Sequence, residues 1–335
     1  MHEFRYRGAI RACAGMTLAA SVCLGSTALA ADTTTAATYP DKVVKIVMPF
    51  PPGGMGDTLA RLLANQLAKE WKQTVIVENR PGASGMIGNE YVARAHPDGY
   101  TLLLTITQVV QAPALYNSLP YDIGKDFTPL SKVANALSVF VAPPASDVKS
   151  LKDYVRLAGA SPGKYSYGSY GAGTTSHIYA EIFNRRNNLT VTHVPYKGAA
   201  PLINDMIGGH VGVSFVDLST ALPFVKAGKL NAYAVVSAKR SAALPNVPTF
   251  AELGYQGMSV VGWYGLFGPA KIPPEIAAKI SRSVEQAVNT PEMQKQIAQL
   301  GLEPIGTDGT TFARIIRDDT ATWSGIIKEG GVHLD

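Results

Sequence analysis

The chain has 335 residues, of which 46% are hydrophobic, and a formal net charge of +5. A charge this small and dispersed excludes a nucleic-acid-binding surface, and a chain this long exceeds what one hydrophobic core usually supports, so we expect two domains and no nucleic-acid partner. Both cysteines, Cys13 and Cys23, lie within residues 1–30, which leaves the rest of the chain without disulfides or thiolate chemistry.

Residues 1–30 have the pattern of a cleavable export signal. Arg5, Arg7 and Arg11 precede an apolar run at residues 12–29. The run ends in an A-x-A cleavage site, Ala28-Leu29-Ala30. We therefore expect cleavage near Ala30, a location in the periplasm and a flexible Ala/Thr-rich leader over residues 31–38. Lipidation at Cys23 is the alternative, which Val22 directly before that cysteine disfavours.

The region after the leader alternates between strand and helix signals. A β-branched run at 43–48 is followed by a Pro/Gly turn and by apolar residues at helical spacing from Leu59 to Trp71. The pattern repeats with strands at 74–77 and 100–105 around a helix at 86–95. Such alternation predicts a mostly parallel sheet with helices on both faces.

A second series of elements follows. Its members are helices 151–158, 175–183 and 199–207, strands 165–167, 191–194, 211–216 and 230–236, and final helices 274–288, 292–300 and 312–327. Two apolar strands without an intervening helix, 133–141 and 258–267, are each long enough to cross between lobes. We therefore expect an α/β protein in which residues 39–140 and 264–335 form lobe 1 and residues 141–263 form lobe 2.

The first candidate binding loop is residues 49–57, Pro-Phe-Pro-Pro-Gly-Gly-Met-Gly-Asp. It joins the first strand to the first helix, where an open α/β sheet places its ligand crevice. Glycines let a ligand approach the backbone closely, and unpaired N–H groups at the positive end of the helix dipole favour an anion. The alternative is an ordinary Gly-rich turn in which Asp57 only caps the helix.

The second candidate binding loop is residues 167–177, Tyr-Gly-Ser-Tyr-Gly-Ala-Gly-Thr-Thr-Ser-His. It also joins a strand to a helix, and its glycines and hydroxyls form the same kind of anion cradle. Because it falls in the other predicted lobe, the two loops can face each other across one cleft. Two opposed helix starts can hold a carboxylate without a Lys or Arg.

The spacing of the candidate residues does not fit the catalytic, cofactor-binding or metal-binding motifs considered below. A nucleophile elbow requires G-x-S-x-G, but Tyr167 stands two places before Ser169. Gly171 and Gly173 lack the third glycine of a dinucleotide fingerprint, since Ser176 stands there. Four histidines are scattered without metal-ligand spacing: His96, His177, His193 and His210. We therefore expect no catalytic site, no cofactor and no metal.

Seven stretches of the sequence together resemble the Bug or tripartite tricarboxylate transporter receptor family. They are residues 39–42 (YPDK), 47–54 (VMPFPPGG), 77–83 (VENRPGA), 97–103 (PDGYTLL), 193–200 (HVPYKGAA), 226–230 (KAGKL) and 244–249 (LPNVPT). The resemblance covers essentially the whole chain after the leader. It implies a type II-like periplasmic binding protein fold, in which two α/β lobes joined by two crossing strands close by hinge motion on a ligand in the cleft.

The resemblance also implies which residues bind the ligand. The loops from Phe50 to Asp57 and from Ser169 to His177 grip one carboxylate, partly through ordered water, while the rest of the ligand lies along variable residues. The predicted ligand-binding residues are Phe50, Pro51, Gly53, Gly54, Asp57, Thr105, Thr107, Ser169, Tyr170, Gly171, Gly173, Thr174, Thr175, His177, Asp217 and Trp263. For Asp217, a structural role at a strand end is an equal alternative.

These features predict a solute-binding protein that captures a small mono-, di- or tricarboxylate for the permease subunits of a tripartite tricarboxylate-type transporter. We expect it to be a monomer. Tyr170 stands where the family usually has a small residue, so we expect its ring to stack on a planar aromatic carboxylate such as terephthalate. Two alternatives remain open: a ligand-responsive sensor partner of a membrane kinase, and a periplasmic hydrolase of carboxylated substrates.

Overall fold

Two β-sheets covered by helices form residues 38–334, the part of the chain that this computed structural model describes. The predicted export signal at 1–30 and all but the last residue of the leader at 31–38 lie outside the described residues. Within the described range, no helix is both long and apolar enough to cross a membrane.

The elements of the described residues are numbered in chain order. The strands are β1 (Val44–Met48), β2 (Val75–Asn79), β3 (Thr101–Ile106), β4 (Phe127–Ala136), β5 (Ser138–Ala142), β6 (Ser166–Ser169), β7 (Thr192–Pro195), β8 (Val213–Asp217), β9 (Asn231–Val236), β10 (Gly262–Pro269) and β11 (Glu303–Pro304). The helices are α1 (Met55–Trp71), α2 (Met86–Ala93), α3 (Gln108–Leu115), α4 (Leu151–Ala160), α5 (Thr175–Arg186), α6 (Ala199–Ile207), α7 (Leu218–Lys226), α8 (Pro274–Val288), α9 (Pro291–Gln299) and α10 (Gly309–Gly330).

Both sheets are mixed rather than mostly parallel. The first has the strand order β11-β4-β10-β3-β1-β2, with β1 parallel to β2 and β3 and with β10 antiparallel to its neighbours. The second has the order β7-β6-β8-β5-β9, with β6 parallel to β7 and β8 and with β5 antiparallel to its neighbours. A strand that enters a sheet from the other sheet does not follow a helical crossover within its own sheet, so it can pair antiparallel with its neighbours.

The chain passes between the sheets twice. Leu137 alone separates β4 in the first sheet from β5 in the second, and residues 237–261 lead back from β9 to β10. Sheet membership therefore changes at Leu137 rather than at residue 140, and before Gly262 rather than at residue 264. Because Leu137 is itself apolar and buried, β4 and β5 appear in the sequence as one continuous apolar strand. The first and second sheets with their helices are called the first and second lobes below.

Two short helices, α3 and α7, escaped the sequence analysis. Each has a proline inside, Pro113 in α3 and Pro223 in α7. Proline ordinarily ends a helix because it lacks an N–H donor and clashes with the preceding turn. Both helices follow strands that end beside the glycine loops, since α3 follows β3 and α7 follows β8. The sequence therefore did not predict two elements at the edge of the cleft.

The last helix, α10, is shared by the two lobes. It packs against α3 and β4 of the first lobe and against α5 of the second. Its Phe312 meets Trp263 of β10 with ring centroids 5.3 Å apart, and its Trp323 meets Tyr179 of α5 at 5.6 Å. One continuous core therefore runs beneath α10 from one lobe into the other.

Candidate functional site

The two glycine loops lie at the carboxyl ends of parallel strands. β1 leads through residues 49–54 into α1, and β6 leads through residues 170–174 into α5. β3 and β8 end at the same edges because they run parallel to β1 and β6. Ligands of open α/β sheets bind outside this edge, so both loops have the position that a binding site requires.

The helices that begin at these loops have no side-chain cap. Gly54 precedes α1 and Thr174 precedes α5, and neither caps the first turn through a side chain. Among the described helices, side chains cap α4, α9 and α10, where Ser150, Thr290 and Asp308 each accept a first-turn N–H, and α1 and α5 share the lack of a side-chain cap with the others. Because the first N–H groups of a helix have no partner within it, those of α1 and α5 are available to an anion.

Asp57 holds the first loop in place. Its Oδ2 accepts hydrogen bonds from Gly53 N and Arg61 Nε, and its Oδ1 accepts from Arg61 Nη2 and Asn79 Nδ2, each at 3.0 Å. Asn79 Nδ2 also donates to Phe50 O at 3.0 Å. Both carboxylate oxygens thus accept hydrogen bonds from the protein, which gives Asp57 a positioning role in the first loop, and its direct contact with ligand stays a prediction.

The charge of Asp57 is also stabilised by these partners. Burial alone would raise the pKa of Asp57, but the hydrogen bonds from Arg61, Gly53 and Asn79 lower that pKa below its ordinary value. The carboxylate therefore stays charged at neutral pH, and its charge faces the protein.

The rest of the first loop faces open space. Pro51, Gly53 and Gly54 are exposed, whereas Phe50 is half-buried beside Gly85. A Cβ added at Gly54 would meet nothing nearer than Pro51 O at 3.9 Å. The backbone in front of α1 is therefore accessible to a ligand.

The hydroxyls of the second loop bind the loop itself. Ser169 Oγ donates to Gly171 O at 3.1 Å, and Thr174 Oγ1 donates to the same oxygen at 2.7 Å. Ser169 is fully buried. Gly171 and Gly173 have φ of +146° and +71°, which side chains rarely adopt. Ser169 and Thr174 thus fix the backbone of Gly171, and their direct contact with ligand stays a prediction.

We expect Ser169→Ala and Thr174→Ala each to weaken carboxylate binding by about 1 kcal/mol, roughly fivefold, because Thr174→Ala removes one hydrogen bond with Gly171 and Ser169→Ala removes two. Acting through the backbone, each loss should be equal for dicarboxylates of different length. Calorimetry with two such ligands measures both losses, with Ser166→Ala in the same strand as the control. A loss confined to one ligand would instead mean direct contact.

The aromatic pair at the start of β10 divides between two faces. Trp263 is 1% exposed, packs on Phe312 and donates its indole N–H to Asp319 Oδ2 at 2.7 Å. Tyr264 points the other way, since a Cβ added at Gly56 would lie 3.1 Å from its Cε1. Successive strand side chains alternate in direction. The predicted site residue Trp263 therefore belongs to the core beneath α10, and its neighbour Tyr264 faces the start of α1.

Tyr264 lies between the two lobes. Burial first, and the Asp217 carboxylate second, raise the pKa of Tyr264 above its ordinary value. Asp217 ends β8 and accepts a hydrogen bond from Tyr170 OH at 3.1 Å. Burial raises the pKa of Asp217 to about 6, although the bond from Tyr170 opposes this rise. Asp217 and Tyr170 thus hold each other, and direct ligand contact by either stays a prediction.

The predicted threonines also have defined places. Thr105 is buried in β3, and Thr107 Oγ1 accepts from Trp263 N at 2.5 Å. Thr175 Oγ1, at the start of α5, accepts from Gln111 Nε2 of α3 at 3.4 Å. Gln111 is fully buried, and its Oε1 has no hydrogen-bond partner among the described residues. This contact between the lobes escaped the sequence analysis because α3 itself was not predicted.

Two histidines lie directly behind the second loop. His177 Nδ1 accepts a hydrogen bond from Gly173 N at 3.0 Å, and the rings of His177 and His193 stack with centroids 4.1 Å apart. His193 also stacks on Tyr167 at 4.9 Å, and its Nε2 lies 2.7 Å from Ser169 Oγ. The predicted ligand residue His177 therefore supports the loop from behind. His193 had appeared in the sequence only as an isolated histidine.

Other parts of the described chain are weaker candidates for a binding site. No group of three His, Cys, Asp or Glu side chains within residues 38–334 is placed to hold a metal ion. A groove of about 1040 Å³ between α10 and residues 116–126 contains none of the predicted site residues. The candidate site is therefore the pair of glycine loops with Tyr264 between them.

Residues 59–332 match the family described as the tripartite tricarboxylate transporter family receptor. The match includes the second loop and begins within α1, just after the first loop. The protein BugT of Bordetella pertussis is 32% identical to this chain over 299 residues, which cover 89% of this chain and 92% of BugT.

Two solved structures have the same architecture. Rpa4515 of R. palustris, solved with adipate, is 30% identical, with a TM-score of 0.83 over 88% of this chain and 100% of that one. MatC of Rhodopseudomonas palustris, solved with bound malate, is 28% identical, with a TM-score of 0.78 over 86% of this chain and 100% of that one. The two sheets described above are thus those of a two-lobe binding protein.

Proposed function

Because the chain belongs to the tripartite tricarboxylate transporter receptor family, we propose that it captures a small organic carboxylate between its lobes and delivers it to membrane permease subunits. The observation that carries this proposal is the pair of glycine loops, one in each lobe, that lead into α1 and α5 without side-chain caps. Their first-turn N–H groups suit the two oxygens of one carboxylate.

A dicarboxylate is the ligand class that we favour. Adipate in Rpa4515 and malate in MatC both have two carboxyl groups. With one carboxylate at the helix starts, the remainder of the ligand extends toward Tyr170, Asp217 and Tyr264. The Tyr264 hydroxyl is a suitable donor for a second polar group, whereas the Tyr170 hydroxyl already donates to Asp217.

Binding without turnover distinguishes this function from hydrolysis. The family is one of receptors rather than enzymes. Ser169 Oγ and His193 Nε2 are within hydrogen-bond distance, as in a hydrolase, but Ser169 is fully buried and its Oγ donates to Gly171 O. A substrate carbonyl has no access to this oxygen, so the pair supports the loop instead of attacking a substrate.

The proposed location is the periplasm, and the proposed partners are the permease subunits of the transporter. The signal pattern of residues 1–30 supports export. A monomer suffices for the proposed capture, because the described chain contributes both loops. Signalling to a membrane kinase requires the same capture step and stays a second prediction.

Calorimetry of the purified protein against adipate, malate, citrate, glutamate and terephthalate tests the proposed function. We expect a complex of one ligand per chain with at least one dicarboxylate, and recovery of that ligand unchanged. Conversion of a ligand at catalytic rates, or no binding by any member of the panel, would overturn the proposal.

Tyr170 gives a prediction about aromatic ligands. Its hydroxyl is held by Asp217, and its ring packs at the edge of the second-lobe core. If the ring stacks on terephthalate, Tyr170→Ala should weaken terephthalate binding twofold to tenfold, since stacking contributes about 0.5–1.5 kcal/mol, and should spare adipate. Tyr170→Phe keeps the ring and is the matched control, expected to retain terephthalate. Equal losses for both ligands in Tyr170→Ala would exclude stacking.

A further inference from the structure

The backbone of the second loop depends on a neutral histidine. Gly173 has a φ of +71° and donates its N–H to His177 Nδ1 at 3.0 Å. A ring nitrogen accepts a hydrogen bond only while it carries no proton. This bond therefore fixes the proton of neutral His177 on Nε2, and a protonated His177 would present N–H against N–H.

His193 reinforces the same requirement. Its ring lies 4.1 Å from that of His177 and nearly parallel to it, with an interplanar angle of 11°. Tyr167 covers its other face at 4.9 Å. A charge on either imidazole would be placed in a stack that water does not reach freely, and two charges would repel each other at close range.

The titratable neighbours of the stack are few in the described structure. Glu181 of α5 lies 3.8 Å from His177 Nε2 and also accepts a hydrogen bond from Tyr167 OH of β6. Tyr154 of α4 stands behind Tyr167 and Glu181. Glu181 is the group that favours a charged imidazole, and the carboxylate oxygen nearest His177 also accepts the bond from Tyr167. On the loop side, Gly173 meets the apolar Leu334.

We propose that His177 and His193 are positioning residues that keep the second loop ready for an anion only while both are neutral, so that acidification opens the loop and releases the ligand. The proposal rests on the proposed function, because the loop is taken to bind a carboxylate. It extends that function by making retention of the ligand depend on pH.

The direction in which pH changes ligand affinity follows from the lowered pKa values of the two histidines. Burial lowers the pKa of His177 to about 4, and burial together with the neighbouring His177 lowers the pKa of His193 to about 4, against the opposing influence of Glu181. Once the loop opens, the imidazoles approach the ordinary value of about 6.5. An open loop binds more protons than the closed loop between about pH 6.5 and 4, so acidification favours opening in this window, and the contribution of the two histidines to ligand affinity falls as pH drops through it. The two titrations are coupled, so the observed midpoints belong to the pair.

The test compares the wild type with His177→Asn, whose side-chain oxygen replaces Nδ1 as an acceptor without titrating. We measure adipate and malate binding by calorimetry at pH 7.5 and 5.0. Wild type should lose up to about thirtyfold in affinity at pH 5.0 relative to the variant, the limit for one histidine whose pKa is about 4 in the closed loop and about 6.5 in the open loop. Titration of the ligand itself is common to both proteins and cancels. His210→Asn changes an exposed histidine and should follow the wild type.

A second measurement needs no ligand. NMR of ring-labelled wild type follows the imidazoles of His177 and His193 while amide exchange of Gly173 is recorded at the same pH values. We expect exchange at Gly173 to accelerate as the rings become protonated. Unchanged protection of Gly173 after protonation, or the same pH profile of binding in His177→Asn and wild type, overturns the proposal. If no panel ligand binds at all, the proposed function fails while this measurement still decides the loop coupling.

Discussion

Gly54→Asp is expected to weaken carboxylate binding at least about 100-fold while leaving the protein as stable as the wild type. An aspartate at this N-cap position can accept the first-turn N–H groups of α1, so it occupies the proposed anion site from within the chain. The ligand then loses hydrogen bonds to its charged group, each worth about 1.5–3 kcal/mol, and meets a like charge. Calorimetry gives the affinity, and thermal unfolding gives the stability.

The structure provides a matched control for this variant. Gly212 also has a φ outside the left-handed region and open surroundings, with Ser146 Oγ the nearest atom to an added Cβ at 3.9 Å. It precedes β8, at the end of that strand away from Asp217. Gly212→Asp should therefore bind like the wild type. Wild-type affinity in Gly54→Asp would remove the start of α1 from the site.

Asp57→Ala is expected to lower the free energy of unfolding by about 2–3 kcal/mol and to weaken binding about tenfold or more. The substitution leaves Gly53 N–H and Asn79 without the acceptor that they share. The first loop would then be less ordered before binding, and ordering it would use part of the free energy of ligand binding. Urea unfolding and calorimetry on the same preparation separate the two effects.

Arg61→Ala is the comparison for this second variant. Its side chain is 51% exposed and supplies two of the bonds to Asp57, while those from Gly53 and Asn79 remain. An exposed ion pair contributes about 0–1 kcal/mol, so Arg61→Ala should have a small effect on both quantities. Full affinity in Asp57→Ala would show that binding does not need a preordered first loop.

Element type was predictable where the hydrophobic period was clean. The helices α4, α6 and α8 begin at the residues predicted from spacing, and their apolar residues form regular stripes. α3 and α7 escaped because Pro113 and Pro223 interrupt them. The directions in which strands pair also escaped, because pairing depends on which sheet a strand enters, and a single sequence does not encode that locally.

The site was predictable as loops and less so as side chains. Glycine, proline and hydroxyl residues before a helix identify an anion cradle because the backbone does the binding. Whether Ser169 points at a ligand or at Gly171 O depends on a neighbour two residues away. Trp263 and Tyr264 are adjacent aromatics, and only the position of α10 decides which of them is covered. Asp57 was predicted to cap α1, but Gly54 occupies the N-cap and Asp57 lies in the first turn of the helix, and its partner Asn79 lies on β2.

The position of α10 has a consequence for the time at which the chain can fold. α10 supplies Phe312 and Trp323, both fully buried, to a core that serves both lobes, and it follows the other described helices in the chain. A nascent chain that ends before Gly309 exposes the apolar faces of α3 and α5 that α10 covers. The native state is therefore out of reach until α10 has been synthesised. For a chain that we propose to be exported, this delay keeps the polypeptide unfolded while it is still able to pass through a translocation channel.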